Sequence, residues 1–420
     1  MLIRFRAKNF GPIKNEVVLD MESDGYSSLS GTTFSANSSL KLLKSVSLYG
    51  HNGSGKSTLL QALDTLISLA KSSYNRALTD DLPYRPYKIS YKNKQLPSLL
   101  EVELVVNRHI YQYGFEYDQK FVRREWLTRV MVKSGEERVV FERENQSIAL
   151  PTDPYGVQDL VKRTRPNVLF LSMLAANNID IALNLIESFS RIKFMNIRTG
   201  GMLDYTFNTL SKEPHRIPSV SEFMRKAEVG ISSIELGEKK VSVDTLSGLP
   251  DNIREVLGDE NREIISRSIT TKHINSSGQE VSFRSDEESQ GTQDWLASSV
   301  PILETLEKGY TLLVDELSSL HPSLCRYLVL MFNSELNQNN AQLVIVSHDL
   351  HLLSRDIFTP DQVNIMEKTA EGSSFLINLA DDTEANATKT NYAKHYIEGR
   401  FSELPYFEEV ENLKFSRGNG

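Results

Sequence analysis

One cysteine in 420 residues leaves no partner for a disulfide, so the chain is not a disulfide-stapled secreted scaffold. Long apolar runs are missing as well. No window comes near the roughly 18 uninterrupted apolar residues of a membrane-spanning helix. The opening MLIRFRAKNFGP lacks the apolar core of a signal peptide. Nor is there a basic excess: 47 Lys and Arg against 55 Asp and Glu give a net charge of −8. That balance disfavours a protein that coats nucleic acid everywhere, though it leaves room for a local basic groove. Internal repeats and long heptad arrays are absent, which excludes a solenoid and a coiled-coil arm. With 40% hydrophobic and 24% charged residues, the chain is expected to be a soluble cytoplasmic protein with a sizeable core, in two or three domains or one with insertions.

The first strand signal is Leu2 to Lys8, where Ile3, Phe5 and Ala7 alternate with Arg4, Arg6 and Lys8. Gly11-Pro12 interrupts it, and Glu16 to Met21 reads as the returning strand of a hairpin. Ser23 to Ser39 reads as a loop and Ser45 to Tyr49 as a short apolar strand. The following segment puts Leu59, Leu60, Leu63, Leu66 and Ile67 on one helical face. Strand-like runs between 99 and 143 predict an antiparallel meander, with Glu101 and Glu103 facing solvent. Residues 168 to 258 read as helical patches, strand character returns over 263–283, and an amphipathic helix spans Trp295 to Glu307. Tyr310 to Val314 and Ala341 to Val346 are short, apolar and β-branched, as expected of central strands in a parallel sheet. The tail from Ala380 is polar, then aromatic (Tyr392, Tyr396, Phe401, Tyr406, Phe407), and is expected to dock on the body.

Between the strand at 45–49 and the helix lies Gly50-His51-Asn52-Gly53-Ser54-Gly55-Lys56-Ser57, a full match to G-x-x-x-x-G-K-[ST] in the context that motif requires. Glycines let the backbone N–H groups from Asn52 to Thr58 turn inward on phosphates at the positive end of a helix. Lys56 supplies a mobile charge for the β- and γ-phosphates of ATP, and the Ser57 hydroxyl can ligate Mg²⁺. Such chemistry needs a second acidic site. Thr311-Leu312-Leu313-Val314-Asp315-Glu316 provides one at a strand end: Asp315 to hold Mg²⁺ through water, Glu316 to polarise the hydrolytic water. The next strand ends in Ser347-His348-Asp349, where a neutral His348 could hydrogen-bond a γ-phosphate. Upstream, Ser289-Gln290-Gly291 opens a helix; it is either a second anion-binding turn or an ordinary N-cap made by Ser289. Cys325 reads as structural.

In motif order and in the segments LIRFRAKNFGPIK, YGHNGSGKSTLLQAL, PNVLFLSMLA, ESQGTQ, LLVDELSSLHPSL and YIEGRFSELPYF, the chain resembles the ABC-ATPase branch that includes SMC, RecF and OLD proteins. Within it the likeness is to the small AAA-type ATPases of bacterial anti-phage and abortive-infection systems. The resemblance implies an α/β P-loop NTPase of ABC type. Residues 1–171 would form a β-rich N-terminal lobe, 172–262 a helical insertion, 263–380 a parallel-sheet C-terminal lobe and 381–420 a tail packed on the core. Ser289 and Gly291 would correspond to the signature loop that meets the γ-phosphate bound by a second subunit, although ESQGT departs from the LSGGQ of transporters. Ser318 to His321 would face the dimer interface, with His321-Pro322 as a turn, and His348 would be the switch histidine. The implied assembly is a head-to-tail homo-oligomer sandwiching two ATP molecules.

Two functions follow as expectations. One is an ATP-driven switch in a defence module, controlling a separate effector (a nuclease or other toxin) in response to a phage trigger. Residues 350–420 offer no acidic TOPRIM triad, HNH-like cluster or metal-spaced Cys and His of their own. The other is a RecF-like ATPase that clamps DNA, supported by the basic run Arg123, Arg124, Arg129, Lys133 and the cluster Lys162, Arg163, Arg165.

Overall fold

The alternation at the N-terminus produces the first strand as expected, and the rest of the first unit grows from it. The computed structural model describes residues 1–26, 28–131, 135–153, 155–196, 201–227, 230–242, 263–315, 320–382 and 390–401. The chain divides into two compact units, Met1–Ser190 with Val344–Gly420, and Arg191–Leu343.

In the first unit, β1 (Leu2–Lys8) pairs antiparallel with β2 (Val17–Asp20). The expected loop at 23–39 contains part of a small hairpin, β3 (Thr33–Ser35) with β4 (Lys41–Leu43), because Phe34, Leu40 and Leu42 bury against Ile3. Next come β5 (Ser45–Tyr49) and α1 (Lys56–Ser72), whose apolar face is buried as its spacing predicts. The meander is β6 (Ser98–Val106), β7 (His109–Tyr117), β8 (Val122–Val130), β9 (Glu137–Glu144) and β10 (Ser147–Ala149). It joins β1 and β2 in one sheet of order β10-β9-β8-β7-β6-β1-β2. Glu101 does not face solvent. It is 7% exposed and accepts from Arg6 at 3.0 Å and from Trp126 Nε1 at 2.9 Å, so partners on its own face bury it. Short helices follow: α2 (Gln158–Arg163), α3 (Phe170–Ala176) and α4 (Asp180–Ser190). Phe170 and Leu171 donate their N–H groups to Glu125 of β8 at 2.6 and 3.0 Å, and Ser172 Oγ accepts from Tyr74 N–H at 3.0 Å. These bonds keep residues 172–190 with the first unit rather than in a separate insertion.

The second unit opens with β11 (Ile192–Met195), α5 (Met202–Lys212) and α6 (Ile217–Ala227). A three-stranded antiparallel sheet follows, β12 (Ile231–Ser242), β13 (Glu263–Ile274) and β14 (Glu280–Arg284). Then come α7 (Gln290–Lys308), β15 (Thr311–Asp315), α8 (Pro322–Phe332) and β16 (Gln342–Val346), in which the unit boundary falls. The expected helical insertion at 172–262 therefore holds two strands among its described residues. β11 is recruited by parallel pairing with β15, and β12 by its ladder with β13 from Ile231 to Ser242. Long-range pairing overrides the local helical pattern there. Phe223 of α6 stacks on Trp295 of α7 at 4.6 Å, which fixes the helices to each other.

Back in the first unit, β17 (Val363–Lys368) lies parallel to β5, and β18 (Ser374–Asn378) runs antiparallel to β17. The tail closes with α9 (Tyr392–Ile397), where Tyr392 and Phe401 are buried. Tyr406 and Phe407 lie outside the described residues. Among the described residues, no helix is long and apolar enough to cross a membrane.

Candidate nucleotide-binding site

The phosphate loop is built where a fully buried strand, β5, hands over to α1. Its glycines answer to different constraints. Gly50 sits at φ 134° against β17, and a Cβ there would overlap the Met366 carbonyl oxygen. Gly55, at φ 113°, caps α1, and a Cβ would lie 2.7 Å from Ser374 Oγ. That hydroxyl donates to the Ser54 carbonyl at 2.5 Å across 320 positions of sequence. Gly53 has φ 77° and open space, with the Lys368 ammonium 4.0 Å from a hypothetical Cβ. The loop is thus clamped at two points by β17 and β18 and left open at the third.

Lys56 is 5% exposed. Its ammonium donates to the carbonyls of Gly50 at 2.7 Å and His51 at 3.0 Å, with Ser54 Oγ at 3.5 Å. The charge is therefore held inside the loop rather than extended into water. The first bond of α1 runs from Leu59 N–H to Gly55 O at 3.0 Å, so the N–H groups of the first turn point toward the loop. Asn52 and Gly53 are exposed, Ser54 is buried, and Ser57 and Thr58 stand on the opening turn.

Three residues with no motif signature join this loop. His51 Nδ1 approaches Glu367 Oε2 of β17 at 3.3 Å, an ionic distance without hydrogen-bond alignment, and Glu367 is only 2% exposed. Tyr396 of α9 has its hydroxyl pushed up to about 12, by burial first and by the Glu367 charge second, while a bond from the Gly50 backbone opposes the shift. Ser374 is the third. Glu367 reaches the loop through the parallel pairing of β17 with β5, Ser374 through β18 beside it and Tyr396 through α9, all more than 300 positions from the loop, so no local spacing could have revealed them.

His348 follows β16 in the same unit. Ser347 N–H donates to Leu48 O at 3.1 Å and the Tyr49 hydroxyl to Asp349 O at 3.2 Å. The Ser347-His348-Asp349 segment thereby leaves the sheet beside the end of β5 that feeds the loop. His348 is exposed there, and Asp349 Oδ2 is a buried oxygen with no partner among the described residues.

Asp315 closes β15 in the second unit, half-buried; Glu316, Ser318 and Ser319 lie outside the described residues. Ser289 is the N-cap of α7. Its Oγ accepts from Thr292 N–H at 3.2 Å, and Ser289 and Gln290 are exposed, with Gly291 in the first turn. Just before it, the Glu288 carboxylate accepts from the Thr271 hydroxyl and meets His273 Nε2 at 2.8 Å, which ties the turn to β13. His321 caps α8 by accepting from Ser323 N–H at 3.3 Å, with Pro322 as the first helical residue. The His-Pro pair therefore opens a helix, because proline costs nothing at that position. Cys325 is buried in the same helix.

Mg²⁺ takes hard oxygen donors and keeps several waters. The hydroxyl of Ser57 and the carboxylate of Asp315 fit that preference. Among the described residues no three His, Cys, Asp or Glu side chains form a metal cage.

The arginines of the basic run have partners beside them. Arg123 pairs with Asp118 at 2.5 Å, Arg124 with Glu116 at 3.6 Å, and Arg129 meets His109 Nε2 at 2.6 Å. Arg165 donates to Tyr74 O at 2.7 Å, while Lys162 and Arg163 end α2 and Lys133 lies outside the described residues.

The model of the AAA_21 family, described as "AAA domain, putative AbiEii toxin, Type IV TA system", matches residues 45–354. Among solved structures, the SMC head domain from Thermotoga maritima is similar at 12% identity and a TM-score of 0.40, over 90% of this chain and 98% of that one. The recombination mediator protein RecF of the RecFOR pathway, in its RecF-ATPrS structure, is similar at 16% identity and a TM-score of 0.35, over 90% of this chain and 98% of that one. The RecF-ATP structure of the same pathway gives 14%, 0.31, 90% and 97%. No curated protein matches the chain.

Proposed function

The chain belongs to the AAA_21 family, and from that premise we propose that it is an ATP-binding and ATP-hydrolysing switch of an anti-phage system, dimerising around ATP to control a separate toxic effector. The observation that carries the reading is the clamped glycine loop with the Lys56 ammonium held inside it at the N-terminus of α1. The family's description, which names a toxin and a type IV TA system, supports the defence context.

In this reading Lys56 and the first-turn N–H groups bind the β- and γ-phosphates. Ser57 and Asp315 would hold Mg²⁺, which when bound offsets phosphate charge. Glu316 takes the proton of the attacking water, and His348 donates to the γ-phosphate. Ser289 and Gly291 of a second copy complete the site, so ATP stabilises the closed dimer and hydrolysis removes that preference. A DNA-clamping role needs exposed cations to meet phosphates. Arg123 is half-exposed and Arg124 exposed, but each already faces a carboxylate that would compete with phosphate.

The test is light-scattering mass of Glu316→Gln with and without ATP, repeated with Ser289→Arg added. A mass increase on ATP that Ser289→Arg abolishes is the expected result. A monomer at every ATP concentration, indifferent to Ser289→Arg, would overturn the composite site and the switch with it.

A further inference from the structure

A second cleft in the first unit, of about 430 Å³, shares no residue with the phosphate loop. Six carboxylates line it, those of Glu16, Asp20, Glu22, Asp24, Asp361 and Asp381, against one guanidinium, that of Arg4. Arg4 is already committed, at 2.5 Å from Asp20 and 3.5 Å from Glu22. The remaining negative charge is felt within the cleft. Asp24 has its pKa raised, by burial first and then by the charges of Asp361, Asp20 and Asp381. Among the described residues, no three of these carboxylates converge as a metal cage.

A second, independent feature asks for an acceptor. Asn364 lines the cleft, is 1% exposed, and its Oδ1 accepts from Asn378 Nδ2 at 3.1 Å. Its own Nδ2 has no partner among the described residues. A buried donor left unmet is costly, so a ligand carbonyl there would be well rewarded. The walls supply the third feature. Val17 and Val18 belong to β2, the last strand of its sheet, and Phe375 and Leu376 to β18, also a last strand. Outermost strands present unpaired backbone groups, the template on which an extended peptide adds. Phe375, 38% exposed, offers an apolar surface for the stems of long side chains.

We infer that this cleft docks an extended segment of a partner protein that carries lysine or arginine at alternate positions. One backbone carbonyl of the segment takes the Asn364 donor, its cations meet the carboxylates, and their methylene stems lie on Phe375. The inference goes beyond the ATP switch and does not depend on it, because binding is measured without nucleotide.

The experiment is fluorescence anisotropy on the full chain with short labelled peptides of alternating threonine and lysine, and of alternating threonine and glutamate, with spermine as competitor. The lysine peptide should bind at least about tenfold more tightly than the glutamate peptide at physiological salt. The double change Glu16→Lys with Asp381→Lys, both exposed positions, should weaken it by about tenfold or more. Asn364→Leu should weaken the peptide by about five- to tenfold and leave spermine unaffected. Equal binding of the two peptides, or an unchanged affinity in the double variant, would overturn the docking site. Peptide binding that ignores Asn364→Leu and is displaced by spermine at matching affinity would reduce the cleft to a general cation sink and overturn the peptide assignment. If Asn364→Leu fails to fold, the double variant carries the test alone.

Discussion

Replacing each loop glycine by alanine separates two reasons for its presence. At Gly53 the added methyl has room, so the cost is the backbone's: a left-handed residue without the glycine freedom, about 1–2 kcal/mol. At Gly55 the same backbone cost is joined by a 2.7 Å approach to Ser374 Oγ. Relieving it displaces the hydroxyl that bonds Ser54 O, adding about 1 kcal/mol, for a total of about 2–3. At Gly50 the obstacle is the Met366 carbonyl oxygen, which cannot retreat without pulling β17 from its parallel pairing with β5. That cost adds to the φ strain, and about 4 kcal/mol or more is expected, enough to unfold the unit in cells. Urea unfolding followed by the fluorescence of Trp126, in a Trp295→Phe background, reads the first unit alone, since these are the two tryptophans. Gly55→Ala should cost about 1 kcal/mol less when Ser374 is glycine, because the two share one contact. Equal losses at Gly50 and Gly53 would refute the clamp, and with it the reason given for the loop's shape.

Three other outcomes are expected. Arg143→Met should destabilise by about 3–5 kcal/mol in the same unfolding assay, since it removes the cation 3.7 Å from the buried Glu125 carboxylate, both side chains being 0% exposed, and the donors to the Asn145 and Val168 carbonyls; adding Glu125→Leu should cost less than the two singles summed. Asp361 has its pKa raised by burial above the ordinary 3.8, so the folded chain holds that proton more tightly than the unfolded one. Its contribution is full below 3.8 and lost as pH rises through the folded value, so Asp361→Asn should gain on wild type as pH climbs; a constant gap across that range would refute it. Glu316→Gln should keep ATP binding and slow turnover by about 10²–10⁴, whereas Lys56→Ala should weaken both; near-wild-type turnover in Glu316→Gln would remove that carboxylate as the base.

What the sequence disclosed and what it withheld divide along a physical line. β1, β5, α1 and the meander were legible because strand and helix periods are local properties, and the phosphate loop because eight consecutive residues carry its chemistry. The segment of β12 carries a local helical pattern, but its state is decided by β13, more than twenty positions on. Alternation puts Glu101 on the polar face, but it tells which face a residue takes, not what covers that face. The same limit applies inside the site. The pattern names Gly50 and Gly55 but says nothing of Met366 and Ser374, which make glycine necessary at those two positions. A motif match therefore reports half of a mutual fit. The eight residues fold into a cradle only because a strand over 300 positions away presents a carbonyl where Gly50 has no Cβ and, on the next strand, a hydroxyl where Ser54 offers its oxygen. A chain with the same loop and a β17–β18 pair unable to receive it would carry the motif without the site.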